Sequence, residues 1–143
     1  LIPLLMDRGL RVGVVKHTHH SLSMDQHGSD TDRYRSSGAA AVVLAAPDGT
    51  ALLDSRPMNL AQTLALMPDM DLILVEGFKH EEIAKIVLFR DGAGHRPEEL
   101  VIDRHVIAVA SDVPLNLDVA LLDINDVEGL ADFVVEWMQN QDG

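Results

Sequence analysis

The sequence predicts an α/β fold: a mostly parallel sheet with helices on both faces and one inserted β-hairpin. Three observations predict it. Short continuous apolar runs at 72–75, 86–89, 106–110 and 119–122 have the form of strands buried on both faces. These runs lie between segments of helical pattern. Pro47-Asp48-Gly49 interrupts two apolar runs with strong turn chemistry.

Taken in order, the elements follow from local chemistry. Residues 1–9 read as the last two turns of a helix, closed by Arg8 and Gly9. The β-branched run 12–16 suits a strand. Residues 29–37 predict one or two helical turns ending at Gly38, with Ser29 or Asp30 as the cap. The runs 40–46 and 51–54 form the hairpin around Pro47-Asp48-Gly49. Asn59 caps a helix reaching about Met67, with Leu60, Leu64 and Met67 on one face and Pro68 ending it. The four buried strands follow. A last helix over 127–139 places Val127, Leu130, Phe133, Val134, Trp137 and Met138 on one stripe.

At 143 residues, with no internal repeat or interdomain linker, the chain predicts a single domain, 1–143. Hydrophobic residues make up 47% and charged residues 24%, too apolar for an acidic disordered chain. The longest stretch without polar side chains, 38–46, is far short of the roughly 20 residues of a membrane span, so no membrane partner is expected. A signal peptide would need a basic start and a longer apolar run. Without cysteine there is neither a disulfide framework nor a thiolate metal site, and cytoplasm is the expected compartment. The net charge of −12 argues against nucleic acid as a partner. Charge is uneven: residues 105–143 hold eight acids and no lysine or arginine, while 11–35 carry Arg11, Lys16, Arg33, Arg35 and four histidines against three aspartates. An anion belongs near the second of these segments.

Open α/β sheets bind ligands beyond the carboxyl ends of their strands. The residues there are Lys16-His17-Thr18-His19-His20, Glu76-Gly77, Ser111-Asp112, and Asp123 with Asn125. Asp71-Leu-Ile-Leu-Val-Glu76-Gly77 has the form of a Walker B element, in which a carboxylate at a strand end holds Mg²⁺ or its waters. Asp71 and Glu76 are about 16 Å apart along a strand, so one ion cannot use both, and Glu76 is the candidate. The Lys16–His20 cluster leaves three readings open: a solvated loop, donors to phosphate oxygens, or zinc ligation by His17 and His19. Asp25, Asp30 and Asp32 either complete a Mg²⁺ site or cap the next helix, and capping suits Asp32 better.

Together, Lys16-His17-Thr18-His19-His20, Asp25, Gly28-Ser29-Asp30, Arg35-x-x-Gly38-Ala39, Asp71 through Lys79, and Ile107-Ala-Val-Ala-Ser111-Asp112 resemble the MobB family, the molybdopterin-guanine dinucleotide biosynthesis adaptors. The likeness covers almost the whole chain. It implies a P-loop NTPase-like fold of the GTPase type and a homodimer that binds GTP. It also implies an adaptor role beside MobA, the nucleotidyltransferase that attaches GMP to molybdopterin. By the same resemblance Glu76 and Gly77 form the Walker B element, and Asp25 and Asp30 lie in a loop closing over Mg²⁺ and the γ-phosphate. Lys16, His17 and His19 then face phosphates or molybdopterin, with Thr18 and His20 in the same segment, and the hairpin is available for dimer contacts.

Two features depart from the pattern. Gly-x-x-x-x-Gly-Lys-Ser/Thr occurs nowhere in the 143 residues, so the first strand and P-loop, about 20–30 residues, are expected ahead of Leu1. Asn/Thr-Lys-x-Asp is missing too, which leaves Asp112, beside Ser111, as the candidate reader of guanine. Two function classes stand: a GTP-binding adaptor, and a nucleotide hydrolase or kinase with turnover of its own, for which Arg33 and Arg35 are candidate charge stabilisers. A zinc hydrolase built on the histidines is the third and poorest. Turnover well below the enzyme median of about 10 s⁻¹ is expected.

Overall fold

The computed structural model describes residues 1–19 and 27–141. In chain order the elements are helix α1 (Ile2–Asp7), strand β1 (Val12–Lys16), helix α2 (Asp30–Ser36), strands β2 (Ala41–Ala46) and β3 (Gly49–Asp54), helix α3 (Leu60–Leu64), strands β4 (Leu72–Glu76), β5 (Lys85–Phe89), β6 (Val106–Ser111) and β7 (Ala120–Asp123), and helix α4 (Val127–Gln139). Among the described residues, a 3₁₀ turn at Pro97–Glu99 is the one regular element without a sequence signal. The described residues group into two compact units.

The first unit comprises Leu1–Val14, Asp69–Leu74 and Lys79–Gly143. Its β5, β6 and β7 run parallel with β6 in the centre. Val106, Ala108, Val109, Ala110 and Ser111 are all buried, as a central strand of small and β-branched residues should be. β7 is an edge strand and mostly exposed, β5 leaves Leu88 exposed, and β4 is only half-buried, so the expectation of full burial on both faces holds for β6 and fails for these three. α1 ends where Gly9 turns left-handed at φ 87°. The Gly9 and Leu10 N–H groups donate to the Met6 and Leu5 carbonyls, the Schellman pattern that occupies carbonyls a helix end leaves free. Leu5 then seals against Ala131 and Val134 of α4. A second cluster surrounds Phe89, Val106 and Val109.

The second unit comprises Val15–Pro68 and Val75–Phe78. Ser29 caps α2 by accepting from the Asp32 N–H, and Gly38 closes it with a second Schellman pattern, Gly38 to Arg35 and Ala39 to Tyr34. β2 and β3 form the expected hairpin, Ala46 opposite Gly49 across Pro47-Asp48. A reciprocal Asn59–Gln62 capping box starts α3, which stops at Leu64, short of the expected Met67.

β1 and β4 pair. Backbone bonds from Asp71 to Arg11 and from His17 to Glu76 show that both strands run the same way. The carboxyl ends of β1 and β4 therefore lie side by side.

Candidate functional site

Parallel pairing delivers the side chains at those two ends to one place. The His17 N–H donates to the Glu76 carbonyl at 2.8 Å, and the Lys16 ammonium stands 3.3 Å from the Glu76 carboxylate. Gly77 follows in a left-handed conformation, φ 87°. A Cβ there would lie 2.9 Å from the His17 Cβ and 3.0 Å from its carbonyl oxygen, so glycine is what lets β4 leave the sheet tight against His17. Phe78 is left-handed too, at φ 50°, and it is the one non-glycine residue with positive φ among the described residues. That conformation costs a bulky residue about 1–2 kcal/mol. Its ring lies 4.3 Å from the His17 imidazole and tilts by 31°. The His19 imidazole meets His17 edge-on at 5.0 Å. The structure thus brings Lys16, His17, His19, Glu76 and Gly77 together, with Thr18 inside the same segment.

Of the predicted metal-binding acids, Asp30 opens α2 and faces Arg33 at 3.6 Å. Asp32 accepts from the Gly28 N–H at 2.8 Å and lies 3.1 Å from the His27 ring. The Gly28 hydrogen bond, then His27, hold its carboxyl below the usual carboxylate range. It therefore ties down the turn before α2, as its capping reading expected. His20 and Asp25 lie outside the described residues. Among the described residues no three His, Asp or Glu side chains converge as a metal-ligand cluster.

Ser111 and Asp112, in the first unit, have partners of their own. The buried Ser111 hydroxyl donates to the Val113 carbonyl at 2.8 Å and accepts from the Val113 N–H. One Asp112 oxygen accepts from the Asp91 N–H at 2.8 Å, and the other faces Arg90 at 3.9 Å. Arg90 also donates to Asn125 at 3.4 Å, while Asp123 accepts from the Asn125 N–H. Beside them a cleft of about 310 Å³ is lined by Leu88, Phe89, Arg90, Ala93, His95, Leu100 and Ile124.

Sequence reasoning missed Phe78 and Arg90. Arg90 follows β5 directly, so the strand-end rule that selected the other candidates would have found it. Phe78 carried no signal of its own, because nothing in a phenylalanine announces left-handed backbone.

Residues 1–112 match the family model described as Molybdopterin guanine dinucleotide synthesis protein B. The chain belongs to the MobB family. It is 67% identical over 150 aligned positions to the molybdopterin-guanine dinucleotide biosynthesis adapter protein of Escherichia coli (strain K12), covering all of this chain and 85% of that one. A protein of the same description from Haemophilus influenzae (strain ATCC 51907 / DSM 11121 / KW20 / Rd) is 40% identical over 147 positions, covering all of this chain and 82% of that one. A crystal structure of molybdopterin-guanine biosynthesis protein B (mobB) superposes with a TM-score of 0.72 at 26% identity, over 96% of this chain and 86% of that one. The MobB likeness bears out the α/β class with parallel strand pairing and the P-loop NTPase-like reading.

Proposed function

We propose that this chain is a nucleotide-binding adaptor in molybdopterin-guanine dinucleotide synthesis, working beside a partner enzyme. The observation that carries the nucleotide reading is the convergence of Lys16, His17, Glu76 and Gly77 at the ends of two parallel strands. The family membership and the names of the two relatives support the pathway.

GTP with Mg²⁺ is the proposed ligand, and molybdopterin the cofactor being served. The donor set fits. Glu76 presents an open carboxylate whose counter-charge is a lysine free to turn toward phosphate oxygens, while His17 and His19 add ring N–H donors. Glu76, with Asp30 and Asp25, would hold Mg²⁺, which supplies positive charge against the phosphates. Asp112 is proposed as the acceptor for a guanine edge. MobA is the proposed partner, and a second copy of the chain the proposed dimer mate through the β2–β3 hairpin.

Calorimetric titration with Mg·GTP and Mg·ATP tests the reading, on this chain and on the product of its complete reading frame. Selective GTP binding, together with faster dinucleotide formation when the protein is added to the nucleotidyltransferase, is the expected result. Absence of GTP binding from both proteins would overturn it.

A further inference from the structure

Phe78 sits in a backbone conformation that its side chain does nothing to favour. Glycine adopts positive φ freely, and asparagine or aspartate gain local hydrogen bonds there, whereas a phenylalanine gains nothing locally. Its half-buried ring lies against the exposed imidazole of His17, 4.3 Å away. An imidazole on an open strand end would otherwise spread over several rotamers, and ordering it on ligand binding would cost affinity. Here Phe78 packs against one side of His17, His19 meets it edge-on, and Gly77 makes room for its backbone.

We infer that Phe78 is a positioning residue that holds the His17 imidazole at the strand end that also carries Lys16 and Glu76, ready to donate to an anionic oxygen. The inference rests on the phosphate-binding reading of this group for its purpose, but not for its geometry. Preorganised donors bind more tightly than donors ordered on arrival.

Two measurements separate geometry from purpose. In the free protein, with the His17 signals identified by comparison with His17→Gln, nuclear Overhauser contacts between the Phe78 and His17 rings are expected, along with a ring-current shift of the His17 protons. Phe78→Asn suits the left-handed backbone but removes the ring. It should keep the fold, abolish the His17 shift, and weaken Mg·GTP binding by about tenfold to a hundredfold, the usual effect of removing a group that orients a ligand-binding side chain. Phe78→Tyr and Phe78→Trp should restore both the shift and the affinity. A wild-type spectrum without ring contacts would overturn the inference, as would Phe78→Asn binding GTP like wild type. Equal weakness of the Tyr and Asn variants would overturn it too. If the ring contacts are present and no variant, nor wild type, binds GTP, positioning stands and the nucleotide reading falls.

Discussion

Lys16 and Glu76 face each other at 3.3 Å across the ends of two parallel strands, and each side chain is about two-thirds exposed. An ion pair this open to water adds little to folding, because screening and lost side-chain entropy offset the attraction. Such a pair is free to exchange partners, lysine turning to a phosphate and the carboxylate to Mg²⁺. Glu76→Gln should therefore leave the thermal midpoint within about 2 °C of wild type. The same change should weaken Mg·GTP binding by about ten- to a hundredfold. Titrations with and without Mg²⁺ check the assignment, and an equal loss in both would remove Glu76 from the metal site.

Gly77→Ala tests the close approach of β4 to His17. The added methyl would stand 2.9 Å from the His17 Cβ and 3.0 Å from a backbone oxygen, on a residue already at φ 87°. A backbone atom cannot swing aside, so a cost of about 1–3 kcal/mol is expected in urea unfolding. Gly49→Ala is the control: it meets nothing within 4 Å and needs no positive φ. Equal stability of the two variants would refute the packing argument.

How much of this was legible depends on whether the signal was local. α4 was readable to the residue because its apolar stripe repeats over more than three turns, and β1 because Gly9 and the β-branched run bracket it. Both Schellman closures are written in the glycines at positions 9 and 38. The burial of β4, β5 and β7 was not readable, since an apolar run does not reveal whether its strand is central or at an edge. For the site, the strand-end rule located Lys16, His17 and Glu76, and pairing register then decided that they meet. Asp112 was found without its partners, because Arg90 and Asp91 are 22 and 21 residues away in sequence. Phe78 was silent, since its conformation is imposed by tertiary packing.

Asp54 sets an acid-range prediction. Its carboxylate is held by the Arg56 guanidinium and accepts from the Arg56 N–H at 2.9 Å, which lowers its pKa from 3.8 to about 2. A folded-state pKa below the unfolded value means the folded chain binds the proton less readily. The stability this adds is complete above about pH 4 and is lost as pH falls through about 2. Asp54→Asn should therefore be less stable than wild type at pH 7, with the gap closing between pH 4 and 2. Urea midpoints across that interval check it, and a gap that stays constant down to pH 2 would show that the loss is not electrostatic.

The β2–β3 hairpin carries the last prediction. Val43 and Leu52 stand opposite each other across the two strands and therefore share one face, where they are 61% and 45% exposed. Val42 and Leu53 share the other face, and Leu53 is buried at 6%. A two-stranded hairpin is marginal in water by itself. Here the outer edges of both strands lack a strand partner among the described residues. Free edges beside an exposed apolar pair invite another chain, and a second copy brings a matching surface. Val43→Glu and Leu52→Glu, singly or together, should shift sedimentation from dimer to monomer at micromolar concentration with the fold intact by circular dichroism. Leu53→Glu should instead unfold the hairpin unit, because it buries a charge. A wild-type chain that sediments as a monomer would refute the dimer, and Val43 and Leu52 variants that stay dimeric would move the interface elsewhere on the protein.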